Sequence, residues 1–284
     1  MNKKRDYKRI MIIILLFIFT ITILFIQAPA YAQARSYMIM FLLDKYEGYT
    51  SVMAENKIDL NIPDGRSTGQ RDWYRLMNIH NDEKGISNFT GRNLSLSVLY
   101  TFGGFKWYQS SSDFFIPESP LYNSFYGGYV IKDKDGGRFG FDDAGELVLK
   151  DIMAVPEYDY KYLVLKSLDC TEDKMVMKND KITVTKDIEY IGEENWTKID
   201  TIMVVNSPTH KYRAGKRAYI QYGVPVKREG QKDFGLMTMH GRIYAKYFDE
   251  YQATIFLYVM TPEQSTLEKT DRDYLSKTTI AKRT

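Results

Sequence analysis

Seventeen consecutive residues from Ile10 to Ile26 carry no charge and only two hydroxyls, Thr20 and Thr22. No face of this run is polar, so it cannot be the amphipathic helix of a globular core, and it divides the chain into a short leader and a long remainder. As a helix it spans ~26 Å at 1.5 Å per residue, between the core of an export signal and a full ~30 Å bilayer crossing.

The flanks give the run a direction. Lys3, Lys4, Arg5, Lys8 and Arg9 precede it, and Pro29 with the small-residue triplets Ala28-Pro-Ala30, Ala30-Tyr-Ala32 and Ala32-Gln-Ala34 follows it. Basic start, apolar run and small-residue exit are the order of an export signal. Two outcomes follow from the length: cleavage near Ala32 and release, or retention of residues 10–26 as a single-pass anchor with the N-terminus inside. In both, the bulk of the chain lies outside the cytoplasm. The expected organisation is residues 1–34 as signal or anchor and residues 35–284 as one extracytoplasmic domain.

The leader also distorts the charge balance. It holds five of the 39 Lys and Arg and one of the 36 acids, leaving 34 cations against 35 acids from Gln33 onward. The basic pI therefore belongs largely to the leader and gives no argument for nucleic-acid binding. Cys170 is the only cysteine. An intrachain disulfide is excluded, so stability has to come from the core. As a nucleophile Cys170 is poor, because Glu172 and Asp173 nearby raise a thiol pKa.

Beyond the leader, periodicity predicts a mixed α+β fold with mostly antiparallel strands and several short helices. Tyr37 to Met53 reads as a helix. Trp73, Leu76, Met77 and His80 fall at helical spacing behind Asp72, which predicts a short helix capped there. Leu94, Leu96, Val98, Tyr100 and Phe102 alternate as a half-buried strand. A second strand over Tyr126 to Lys132 is expected to continue as a meander, through Asp135-Gly136-Gly137 and Arg138 to Phe141, then Asp143-Ala-Gly145 into Leu147 to Leu149. A helix is expected from Asp159 to Leu168, and a short strand at Ile182 and Val184. The run Ile199 to Val205 reads as a central strand buried on both faces. Ala218 to Val226 alternates, and Arg242 to Tyr247 pairs with Ala253 to Met260 as a hairpin. Thr261, Pro262 and Gln264 predict a capped final helix.

Catalytic signals are sparse. His80 shares an apolar face with Trp73 and Leu76. His240 opens a strand in Met239-His-Gly-Arg242 and has no acidic neighbour within six residues. His210, in the polar run Ser207-Pro-Thr-His-Lys211, is the best candidate for a general base, because loops between strong strands carry function. No two histidines have the spacing of a zinc site, and no Gly-x-Ser-x-Gly elbow occurs. Asp133, Asp135, Asp142, Asp143 and Glu146 cluster, but an EF-hand loop begun at Asp133 puts Gly137 where an oxygen ligand belongs and Arg138 where the glycine belongs. Turn-forming aspartates are the better reading. No metal or cofactor is expected.

One asymmetry stands out. From Thr201 to Arg228 there is no acid, while Lys211, Arg213, Lys216, Arg217, Lys227 and Arg228 occur with Tyr212, Tyr219 and Tyr222 among them. Such a gap creates local positive potential. Lys211, Tyr212, Arg213, Lys216, Arg217 and Tyr219 are therefore the expected contact residues for an anionic envelope component or a partner protein. Two functions follow: a binding or structural module of the cell envelope, tethered or secreted, or an extracytoplasmic hydrolase using His210 with a carboxylate.

Overall fold

The computed structural model describes residues 3–27, 52–65, 73–77, 83–103, 113–166, 170–210 and 234–282. The first element is helix α1, Lys3–Gln27. Every side chain described in it, residues 7–22, is exposed. Its described aliphatic and aromatic side chains are all exposed: Ile13 is 65% exposed and Phe19 64%. The two hydroxyls close on their own helix, Thr20 Oγ1 donating to Leu16 O (2.8 Å) and Thr22 Oγ1 to Ile18 O (2.7 Å). Among the described residues, no helix is long and apolar enough to cross a membrane.

From Val52 onward helices and antiparallel strands are mixed, as the periodicity predicts. The elements are α2 (Val52–Glu55), β1 (Ile58–Asn61), β2 (Trp73–Met77), α3 (Glu83–Thr90), β3 (Leu94–Gly103), β4 (Phe125–Asp133), α4 (Leu149–Tyr158), β5 (Met177–Tyr190), β6 (Glu193–His210), β7 (Phe234–Phe248), β8 (Ala253–Thr261), α5 (Gln264–Asp273) and β9 (Thr279–Lys282). Seven strands form one sheet in the order β2-β3-β4-β8-β7-β6-β5, and β1 pairs with β9 in a separate ribbon. The sheet is thus two antiparallel meanders, β2 to β4 and β5 to β8, joined where β4 pairs with β8.

Alternation sends successive side chains to opposite faces, and here both faces are covered. Leu96, Val98, Tyr100, Tyr129, Ile199, Met203, Met239 and Tyr258 point to one core, closed by Ile86 of α3 and by Ile152, Met153 and Val155 of α4. Leu99, Tyr126, Val130, Trp196, Tyr244, Ile255 and Leu257 point to the other, closed by Val52, Ile58, Leu60, Leu267 of α5 and Leu275. Local turn chemistry fixes the register of the hairpins. The β5–β6 turn uses Ile191 (φ 49°) and Gly192 (φ 78°), the paired positive φ values of a tight two-residue turn.

The strands of Leu94 to Phe102, Tyr126 to Lys132 and the β7–β8 hairpin stand where the alternation puts them. Several other expectations are corrected. Residues 73–77 are strand β2, because the free edge of β3 pairs with them from Trp73↔Gly103 to Met77↔Tyr100. The meander after β4 does not form. The open edge of β4 is taken by β8, and only an isolated bridge, Phe141↔Leu147, survives, with Leu149 opening a helix instead of closing a strand. The helix expected from Asp159 begins at Leu149, runs through Pro156, and widens into a π-helical turn over Asp159–Leu165 just past the proline, whose ring cannot supply a helix N–H.

The strand at Ile182 and Val184 is far longer, spanning all of β5. The strands buried on both faces are β8, the middle of the seven, with all nine residues buried, and its neighbour β4, with eight of nine. β6 alternates, with Ile199, Met203 and Val205 buried and Ile202 and Val204 half-buried. Finally, α5 starts at Gln264 behind Glu263; Thr261 Oγ1 accepts the Ser124 hydroxyl (2.7 Å) and the Glu263 N–H (3.3 Å), and no side chain caps the helix. Of the helix expected over Tyr37 to Met53, only Val52 and Met53 are described, at the start of α2; the rest lies outside the described residues, as do His80 and the strand expected at Ala218 to Val226.

Candidate functional site

The register of β3, β4 and β8 places Tyr100, Gly127 and Tyr258 in one row, with Tyr129 two residues farther along β4 on the same face. Gly127 lets β3 and β4 approach so closely that a Cβ there would lie 1.9 Å from Leu99 O. With no side chain between them, the rings of Tyr100 and Tyr258 meet edge to face at 6.4 Å, and Tyr129 stands 5.9 Å from Tyr100. Their hydroxyls converge on one carboxylate, Asp159, the first residue of the π-helical turn.

Tyr100 and Tyr129 donate to Asp159 Oδ1 and touch each other through their hydroxyls. Tyr258 donates to Oδ2 at 3.0 Å. Asp159 is 2% exposed, and all three tyrosines are fully buried. Burial first, and then the charge of Asp159, hold the three phenols well above their ordinary pKa. They stay protonated donors at neutral pH, which is what a buried carboxylate needs.

The next residue continues the polar path. Tyr160 stacks on Phe125 (6.3 Å, 15° between planes), donates to Asn206 O at 2.5 Å and accepts from Asn123 Nδ2 at 2.8 Å. Asn123 holds a left-handed backbone (φ 47°) and also contacts Met239 Sδ at 2.9 Å. Its Oδ1 is buried without a hydrogen-bond partner among the described residues. Asn206 Oδ1 accepts the Val176 N–H at 2.5 Å, and Ser207 beside it pairs with Tyr122. The path from Asp159 therefore ends where β6 runs out toward His210. Cys170, past the end of the π-helical turn, is 6% exposed, and burial pushes its thiol up to about 11. It is a packed thiol whose burial disfavours the thiolate that a nucleophile needs.

A second charged cluster lies on the opposite face. Arg242 of β7 donates to Asp200 (2.7 Å), to both oxygens of Glu268 (2.9 and 3.0 Å) and to Asp271 (2.8 Å). Tyr190 and Tyr244, stacked at 3.7 Å, both donate to Asp271 at 2.7 Å. Burial pulls the guanidinium pKa down, but the hydrogen bonds to Glu268, Asp200 and Asp271 outweigh it and the net shift is upward. The Arg242 hydrogen bond in turn lowers Glu268.

The residues singled out from the sequence are not gathered by these clusters. His210 closes β6 opposite Phe234, and its side chain lies outside the described residues. So do Lys211, Tyr212, Arg213, Lys216, Arg217 and Tyr219, which belong to the connection between β6 and β7. His240 does not open a strand. It sits inside β7 between Ile202 and Thr261, two residues from Arg242 and its acids.

Four of the five acidic turn residues, all but Asp143, have a turn or ion-pair partner among the described residues. Asp133 binds Arg92 (2.7 Å) and accepts the Asp135 N–H (2.9 Å), Asp142 accepts the Glu146 N–H (2.8 Å), and Glu146 pairs with Lys186. Among the described residues no group of His, Cys, Asp or Glu could hold a metal ion. No protein-family model matches the chain, and no curated protein or solved structure shows significant similarity to it.

Proposed function

We propose that this protein is a binding module of the cell envelope, exported by or anchored through α1, whose domain lies outside the cytoplasm and contacts an anionic partner through the β6–β7 connection. The observation that carries the reading is the uncovered surface of α1. From Ile10 to Thr22 every side chain of α1 is exposed, the large ones are apolar and the two hydroxyls are satisfied internally, so this stretch gains little from water and loses little in lipid. The basic residues at its start orient it with the rest of the chain outside.

The two polar clusters support a binding role over catalysis. The Asp159 carboxylate is enclosed by three phenols and the Arg242 guanidinium is held by three acids, so both are engaged within the protein. The acid-free stretch from Thr201 to Arg228 is left as the source of recognition.

The test is a reporter fused after Thr284 that is active only outside the cytoplasm. Activity on the outer side is expected, and cytoplasmic activity overturns the proposal. Sequencing the mature N-terminus separates the two forms, because a start at Gln33 or Arg35 means that α1 is removed. Replacing Lys211, Arg213, Lys216 and Arg217 together by Ser should leave folding intact and weaken salt-sensitive retention on anionic envelope fragments.

A further inference from the structure

The outer ends of β5, β6 and β7 carry a sheet face that is chemically unlike the rest of the surface. The register aligns Lys178 with Val204 and Thr238, and Lys181 with Ile202 and His240, and it puts Leu236 one row farther out, opposite Asn206. Even-numbered positions of β6 and β7 share the face on which α5 lies. α5 closes over the sheet at the row of Asp200 and Arg242, which its Glu268 and Asp271 bind. Beyond that row Lys178, Lys181, Leu236 and Thr238 are exposed, and Ile202, Val204 and His240 are half-exposed. Leu236, at 61%, is the most exposed large apolar side chain described outside α1. The opposite face of the same strands is conventional core, with Met177, Met203, Val205 and Met239 buried.

Two lysines therefore border a centre of Ile202, Val204 and Leu236. None of the seven positions is acidic; the nearest acid in β5, Asp180, sits in the bulge between Asn179 and Lys181. Cations beside aliphatic side chains, on a sheet face and not in a groove, match a surface that is anionic outside and apolar just beneath. The seven described positions fall well short of the about 20–30 residues a side that a stable protein partner uses. A tether removes the need for a large area, because docking next to an anchored helix is intramolecular.

We infer that this face docks on the anionic outer surface of the bilayer that holds α1. The inference rests on the proposed anchoring and names the lipid headgroup layer as the partner.

The test uses the full chain in lipid nanodiscs with an environment-sensitive fluorophore on Leu236→Cys; buried Cys170 in the parent chain gives the labelling background. In discs containing phosphatidylglycerol the emission should shift to the blue, be quenched by lipids spin-labelled near the headgroup, and return toward the aqueous spectrum as salt rises. Lys178→Ser with Lys181→Ser should lower the docked-to-free ratio on the order of tenfold. A label on Asp143→Cys, in the turn bridged by Phe141 and Leu147, should stay aqueous throughout.

An aqueous spectrum at position 236 in a disc-bound chain overturns the docking and leaves the anchoring intact. A blue shift that ignores the spin-labelled lipids and grows with chain density also overturns it, in favour of contact between copies. A chain that fails to enter the discs overturns both readings.

Discussion

Asp159, just past the end of α4, joins that covering helix to three strands of the sheet, and its replacement should loosen the joint. Asp159→Ala removes an acceptor that takes three phenolic protons in a fully buried setting. Tyr100 and Tyr129 already touch, so one of them recovers a partner in the other, while Tyr258 is left without this acceptor. Each stranded phenolic donor costs about 1–3 kcal/mol, and no buried charge is left behind, since the phenols are neutral. Against a domain stability of about 5–15 kcal/mol that is a large fraction.

Asp159→Asn keeps the shape and one acceptor oxygen for Tyr100 and Tyr129. Its amide nitrogen then faces Tyr258, whose hydroxyl turns to accept, and the expected cost is about 1–2 kcal/mol. Tyr258→Phe, losing one charge-assisted bond, should cost about 1.5–3 kcal/mol. The assay is urea unfolding of the full chain followed by tryptophan fluorescence, since Trp73 and Trp196 are buried and report on the sheet. The slope with denaturant should not change between variants. A cost for Asp159→Ala below about 1 kcal/mol, or equal costs for Asp159→Ala and Asp159→Asn, would refute the carboxylate's role.

Tyr100, Tyr129, Tyr160, Tyr190, Tyr244 and Tyr258 are all held above their ordinary pKa, first by burial. Their stabilisation is complete below about pH 10 and is lost as pH rises toward the folded values, so ultraviolet titration should show these phenols ionising only with cooperative alkaline unfolding; smooth titration of every tyrosine near pH 10 contradicts this. Gly127→Ala meets backbone at 1.9 Å and should cost ~3 kcal/mol or more, whereas Gly136→Ala, with open space but φ 86°, should cost about 1 kcal/mol. Cys170, buried with its thiol pushed up to about 11, should resist a water-soluble thiol reagent at pH 7 until the chain unfolds. Melting should be indifferent to reductant, and a reduction-sensitive melt would reveal a bridge between chains.

What the sequence discloses about the fold depends on how long each pattern is sustained. Leu94 to Phe102 alternates over nine residues and cannot be a helix, and the β7–β8 hairpin has strong strands on both sides of a polar turn. Trp73 to Met77 offers only five residues, and over so short a run helical and strand spacings coincide. The open edge of β3, not the local pattern, decides it. The turns at Asp135-Gly136 and Asp143-Ala-Gly145 are real turns in the right places. What they connect was settled by β8, which arrives much later in the chain and occupies the edge of β4.

The buried clusters are less legible still, because their members come from separate strands. Alternation turns Tyr100 inward, but nothing local says that Tyr129 and Tyr258 will join it or that Asp159 will descend from the opposite layer. The gap at Gly127 is the nearest thing to a signal, since a glycine within a strand points to close backbone approach.

The two layers over the sheet are held by the same device. On one face a single aspartate, Asp159 at the end of α4, takes phenolic protons from β3, β4 and β8. On the other a single aspartate, Asp271 of α5, takes phenolic protons from β5 and β7 and a guanidinium proton from Arg242. In a chain whose lone cysteine forbids an internal staple, these bonds fix where each helix sits, because sliding either helix by one turn strands its carboxylate among apolar side chains. The devices differ in one respect. Arg242 balances Asp271 and binds Glu268, whose side chain is 50% exposed, so that latch opens to salt and acid. The Asp159 latch is fully enclosed, and its failure should coincide with unfolding of the core itself.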